Sequence, residues 1–192
     1  PVSDPVEVDW SSHRGAPATL WLRLGDWETG VYFARLSGEG GRVGFAPFVL
    51  LPRRLGLHRV AVVLPTNTWQ AYNFQDVDGD GWGNTWYASH ATRSINLTRA
   101  YYRGGSPGPW LYDRGFVRWL WRTGKHPDYL SQDDIQRLRT GAQLAAAYNL
   151  VVYSGHSEYV TGHEYNVIQR FLDLGGNLLF LGANNFYRRV DR

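Results

Sequence analysis

Val151-Val152-Tyr153-Ser154-Gly155-His156-Ser157-Glu158-Tyr159 decides how this chain reads. An apolar run with the character of a buried strand ends in a glycine, a histidine, a hydroxyl and a carboxylate. In open α/β sheets, ligands bind outside the carboxyl ends of the strands. A strand with this tip is therefore placed where chemistry happens. Working outward, Glu164 to Leu174 has helical character, and Gly175-Gly176 ends it. A second apolar strand, Asn177 to Leu181, ends in Gly182-Ala183-Asn184-Asn185. Upstream, Arg59-Val60-Ala61-Val62-Val63-Leu64-Pro65 is a continuous apolar run, as in a strand buried on both faces. Gly115 to Arg122 has helical spacing. Ser131 is the expected N-cap of a helix from Gln132 to about Ala147, with Asp133 and Asp134 in its first turn. Strands alternating with helices predict a mostly parallel α/β sheet.

The first quarter of the chain has a different texture. Thr19 to Leu24 and Gly30 to Leu36 are short alternating runs, Ser37 to Gly41 is a hairpin-type turn, and Val43 to Leu51 continues as a strand. This predicts a β-sandwich-type segment over residues 1–55, with too few strands to close by itself. The α/β domain is expected over residues 56–192. Between Asn73 and Pro109 lies a long polar and aromatic stretch without periodicity, of the kind that carries function or links elements.

Composition narrows the classes. Of 192 residues, 43% are hydrophobic and 15% aromatic, enough for a core and for ligand sites with rigid walls. The net charge of +3 comes from scattered basic residues, mostly arginine, which argues against a nucleic-acid partner. No apolar stretch approaches the ~20 residues that span a membrane. The absence of cysteine removes disulfides, thiolate nucleophiles and zinc–thiolate sites together. The absence of methionine makes residue 1 an unnatural translation start, so the chain reads as a fragment, a processed form or part of a longer protein, and the α/β domain is expected to be truncated at its C-terminus. Asn96-Leu97-Thr98 is a glycosylation sequon, relevant in a eukaryotic secretory setting.

Four segments in register carry a resemblance. They are Gly30 to Leu36 followed by Ala46-Pro47-Phe48-Val49; Thr66-Asn67-Thr68-Trp69-Gln70-Ala71-Tyr72-Asn73; Ser154 to Tyr159; and Gly175-Gly176-Asn177-Leu178 with Gly182 to Asn185. Their order and spacing, over roughly residues 27–187, resemble the C-terminal region of the large (beta) subunit of N,N-dimethylformamidase. The resemblance implies a β-sandwich segment joined to a glutamine-amidotransferase-like (flavodoxin-like) α/β domain. It implies a mononuclear ferric iron on two tyrosines and a glutamate, which fall on Tyr32, Tyr72 and Glu158. The family's nearby histidine and asparagine fall on His156 and Asn184, and its further glutamate lies beyond Arg192. It also implies a small amide as substrate and a small partner subunit or a homo-oligomer. The sequence departs from the family pattern at Asp76 to Asn84, where the family has a short Gly-Gly-containing loop directly after the tyrosine.

Phenolate and carboxylate oxygens suit a hard cation, and such an ion deprotonates groups that coordinate it. Three protein ligands leave positions for water and a substrate carbonyl. If residues 156–158 are extended, His156 points the same way as Glu158 and can move a proton beside it. Asn184 offers an amide to the substrate carbonyl. Read without the resemblance, each tyrosine is packing, His156 is a structural or capping histidine, and Asn184 is a turn residue. Gly155 to Tyr159 imitates a serine-hydrolase elbow, but its last glycine is Tyr159, and His163 follows too closely to complete a triad. Asp76-x-Asp78-x-Asp80-Gly81, with Asn84 in the ninth position, matches the first half of a calcium loop whose twelfth position is Tyr87 instead of glutamate. Two functions compete. One is an iron-dependent amidohydrolase. The other is a non-catalytic binding or assembly module with a calcium-stabilised loop.

Overall fold

The computed structural model describes residues 1–9, 21–88 and 92–192. Alternating side chains build an antiparallel hairpin first. β1 (Gly30–Ser37) pairs with β2 (Val43–Leu50) from Gly30 against Leu50 to Ser37 against Val43. Gly40 and Gly41, at φ 67° and 72°, make the turn in left-handed backbone that glycine adopts without a Cβ clash. The hairpin does not become a sandwich: among the described residues, β1 and β2 form a sheet of two strands. Thr19 and Leu20 of the expected first strand lie outside the described residues, and Trp21 to Leu24 form no strand. Without a facing sheet, the hairpin covers its apolar side by laying Val31 and Val49 on the α/β core.

That core is a four-stranded parallel sheet. Its strands are β3 (Val60–Leu64), β4 (Asp128–Ser131), β5 (Leu150–Tyr153) and, after the short β6 (Tyr159–Thr161), β7 (Asn177–Phe180). The spatial order β4-β3-β5-β7 is, in chain order, 2-1-3-4, that of a doubly wound sheet with its switch point between the first and third strands. Ala61, Val62, Val63 and Leu64 have no exposed surface, as an unbroken apolar run buried on both faces requires.

Three helices cover one face: α3 (Gln132–Arg137), α4 (Gly141–Ala147) and α5 (Gly162–Asp173). Ala61, Val63, Val151 and Tyr153 meet Ile135, Leu144, Val167, Ile168 and Phe171 there. On the other face, Val62, Leu64 and Val152 meet Trp69 of α1 (Thr66–Ala71) and Leu120 of α2 (Trp110–Arg122), with the hairpin beyond. α2 starts five residues before the expected Gly115, directly after Pro107-Gly108-Pro109. Proline has the φ of a first helical turn and no N–H to leave unpaired there.

The single helix expected from Gln132 to Ala147 is two helices. Leu138 leaves helical geometry, and Thr140, extended at φ −161°, opens α4 with Gln143 in a capping box. Gly141 stands so close to α5 that a Cβ would collide with the Val167 carbonyl. The chain turns there to bring α4 against α5. β4 was not expected from the sequence, nor was the parallel pair of β6 with β8 (Arg188–Val190). No helix among the described residues is long and apolar enough to cross a membrane.

Candidate active site

The crevice at the sheet's switch point has two walls. β3 runs into the six-residue α1 through Pro65, and Asn67 to Ala71 are all buried. Tyr72 caps this helix, its N–H bonded to the Thr68 carbonyl at 3.0 Å. The second wall is the segment that leaves β5, residues 154–158. Thr68 joins them, because its Oγ1 accepts from the backbone N–H of Glu158 at 3.0 Å and of Tyr159 at 3.3 Å. The Tyr72 hydroxyl then donates to Glu158 Oε2 at 2.7 Å. Glu158 is buried, and on its far side its carbonyl accepts from Arg188 N–H at 2.8 Å.

Aromatic rings fix Tyr72. Tyr87 stacks on it with centroids 4.0 Å apart, and Tyr159 meets it edge-on at 6.4 Å. Burial, then the hydrogen bond to Glu158 and that group's charge, hold the Tyr72 phenol well above its ordinary pKa. A buried guanidinium sets the exit of α1. Arg99 donates to the carbonyls of Gln70 and Asn73, both at 2.9 Å, and of Gln75 at 3.3 Å.

His156 lies two residues before Glu158 on the second wall. Its ring lies flat against Tyr112 of α2, 4.2 Å between centroids and 2° from parallel. Three buried side-chain polar atoms have no hydrogen-bond partner among the described residues: His156 Nδ1, Ser157 Oγ and Thr66 Oγ1. All three belong to the segments that leave the carboxyl ends of β3 and β5. Buried polar groups normally find partners, so each of these three orphans calls for a water or a ligand to satisfy it.

The structure thus brings Tyr72 and Glu158 into contact and sets His156 against Tyr112 of α2. Tyr32 does not join them. Its hydroxyl donates to the Glu28 carbonyl at 2.7 Å, and its ring stacks on Trp27 and Phe48. It lines a separate cavity of about 1600 Å³ whose walls include Leu57, His58, His126 and Pro127, residues that precede β3 and β4. Asn184 is exposed in left-handed backbone at φ 55°, a turn conformation in which asparagine is common. Its neighbour Asn185 makes the contact instead, accepting weakly from Ser157 N–H at 3.4 Å and donating to the Gly182 carbonyl at 2.6 Å. Phenol and carboxylate oxygens are hard donors of the type that suits a metal ion, and Tyr72 and Glu158 bring two of them into contact. The fit extends to Tyr72 and Glu158 and not to Tyr32.

The acidic loop stands apart on the surface. One carboxylate oxygen from each of Asp76, Asp78 and Asp80 lies within 4.8 Å of the others. Asp76 accepts from Gly79 N–H at 2.7 Å and Gly81 N–H at 3.0 Å, and these bonds, Gly79's first, lower its pKa. The Asn84 amide turns to Val77 N–H and to Asp78, so the loop ties itself together.

Thr68, Tyr112, Asp113 and Asn185 were not anticipated as site residues. Thr68 and Asn185 lie within the segments that carry the resemblance, but nothing local marks Tyr112 and Asp113 as contacts of residues 154–158. The family model N,N-dimethylformamidase beta subunit-like, C-terminal, matches residues 3–192. No curated protein matches the chain.

Proposed function

The chain belongs to the N,N-dimethylformamidase beta subunit-like family, as its C-terminal part, and from that membership we propose that it hydrolyses the C–N bond of a small, formamide-type amide. The family name points to a dimethylformamidase-related hydrolase. The observation that carries the finer reading is the 2.7 Å contact of Tyr72 with Glu158 at the switch point of the sheet. The strand order also supports a glutamine-amidotransferase-like fold, and the words "beta subunit" support a partner subunit or an oligomer.

In this proposal Tyr72 and Glu158 hold a ferric ion, which supplies Lewis acidity toward an amide carbonyl and toward water. The chain's own residues do the rest. Glu158 and Tyr72 are held in register by Thr68 before any ligand arrives. His156 takes a proton from the attacking water and returns it to the departing amine. Trp86, Tyr87 and Tyr159 wall the site with rings and limit water. The products are a carboxylic acid and an amine.

The test is an assay of purified protein against N,N-dimethylformamide and related small amides, with iron content and the tyrosinate charge-transfer band measured on the same sample. Release of amine that tracks iron content supports the proposal. An iron-loaded full-length protein, assayed with its partner subunit, that releases none ends it. A second reading, a calcium-stabilised binding module, is favoured by the convergence of Asp76, Asp78 and Asp80. It gains if calcium binds and raises the melting temperature while no amide is turned over.

A further inference from the structure

Two consecutive residues of α2 touch both walls of the crevice. Asp113 has no exposed surface. Its Oδ2 accepts from Trp69 Nε1 at 3.0 Å, and its Oδ1 accepts from Ser154 Oγ at 2.7 Å. Trp69 precedes Tyr72 by three residues on the first wall, and Ser154 precedes His156 by two on the second. A Cβ on Gly155 would lie 2.5 Å from Asp113 Oδ1, so only glycine lets the strand end close onto the carboxylate. The preceding residue, Tyr112, is the ring stacked on His156. His156 Nδ1 has no hydrogen-bond partner among the described residues, and the ring lies flat on Tyr112.

We propose that the Tyr112–Asp113 pair of α2 is a positioning brace, in which Asp113 sets the spacing of the two crevice walls and Tyr112 holds the plane of His156. Neither residue touches substrate in this role. The work of Asp113 needs an acceptor for the indole N–H and a partner for a hydroxyl that can rotate. A carboxamide supplies both, so the negative charge is dispensable. The turnover arm of the test rests on the proposed amidohydrolase reading; the other arm does not.

The experiment compares Tyr112→Ala, Tyr112→Phe, Asp113→Asn and Ser154→Ala in the protein. It measures kcat and KM on a formamide-type amide, the rate of diethyl pyrocarbonate modification of His156, and amide hydrogen exchange at residues 154–157. Tyr112 is half-exposed, so its alanine variant folds. Tyr112→Ala is expected to lower kcat about tenfold with KM little changed, as a lost ring–ring contact implies. It should also speed modification of His156, and Tyr112→Phe should restore both. Asp113→Asn should stay near wild type, whereas Ser154→Ala should speed exchange at 154–157 and lower kcat, on the order of 100-fold if a wall moves by an ångström. The brace is overturned if Tyr112→Ala and Ser154→Ala leave His156 modification and exchange at wild-type rates. It is equally overturned if phenylalanine fails to rescue. If the wild type turns over no amide while modification and exchange respond as described, the proposed function fails and the brace stands.

Discussion

The two ends of the same parallel sheet treat their buried carboxylates in opposite ways. At the amino end, Asp128 opens β4 with no exposed surface, and every group around it is matched. It accepts from the backbone N–H groups of Gly56, Leu57 and His58, all at 3.1 Å, and from the Tyr148 hydroxyl at 2.9 Å. His58 Nδ1 stands 2.9 Å away. At the carboxyl end, Glu158 has the Tyr72 hydroxyl, while Thr66, His156 and Ser157 each keep a buried polar atom without a partner among the described residues. A saturated carboxylate locks a linker into the fold. Unsatisfied buried polar atoms are a cost that a ligand can offset.

The largest effect expected from the contrast is on turnover. Tyr72→Phe and Glu158→Gln should each lower amide hydrolysis on the order of 10²–10³-fold and empty the proposed iron site, while urea denaturation shifts by about 1 kcal/mol. A large loss of stability with turnover retained would reverse the roles of the two ends. Next comes Asp128→Ala, which orphans three backbone donors and the Tyr148 hydroxyl. It should cost roughly 3 kcal/mol in urea denaturation, with kcat per folded molecule unchanged. If kcat falls instead, the amino end is not merely structural.

Two carboxyl-end residues sharpen the point, because they are satisfied despite their location. Glu164 accepts from Tyr153 at 2.9 Å and from Gln132, and burial, opposed by these bonds, raises its pKa to about 7. An unfolded glutamate titrates near ~4.3. The folded state therefore binds more protons between these values, and stability falls as pH rises from about 4.3 to 7. Asp113, raised by burial to about 6, adds to the same slope. Glu164→Gln should flatten the fall without abolishing it, as read by urea midpoints across that window. An unchanged slope would remove Glu164 as its source. The smallest effect is expected for Ser131→Ala. Ser131 caps α3 by accepting from Asp134 N–H at 3.3 Å and donates to the Asp134 carboxylate. Its loss should cost about 1 kcal/mol and leave turnover alone. A fall in kcat would mean that satisfied carboxyl-end groups also serve the site.

How much of this was legible beforehand depended on run length. Val60 to Leu64 and Leu150 to Tyr153 were readable as strands because a continuous apolar run has few other places to go. β4 was not, since four residues that begin with a carboxylate and end in a serine look like a loop. The helix over 132–147 was too long because Leu138 to Thr140 keep a helix-like apolar pattern; what breaks it is the approach of α5 to Gly141. In the site, Tyr72, Glu158 and His156 are named from a motif resemblance; Tyr72 and Glu158 meet, while His156 packs on Tyr112. Tyr32 and Asn184 were named in the same way and lie apart, one against Glu28, the other in an exposed turn.

The sequence by itself determined the alternation of buried strands and amphipathic helices, and with it the end of the sheet at which polar residues collect. Hydrophobic periodicity is a local property and survives in one dimension. Only the tertiary structure decided which polar groups touch. Tyr72 reaches Glu158 across 86 residues, and Asp113 reaches Trp69 and Ser154 across 44 and 41. Those separations close when parallel crossovers stack β3 beside β5 and fold α2 over them. The geometry of that closure is set by core packing on both faces, to which no local pattern of residues responds.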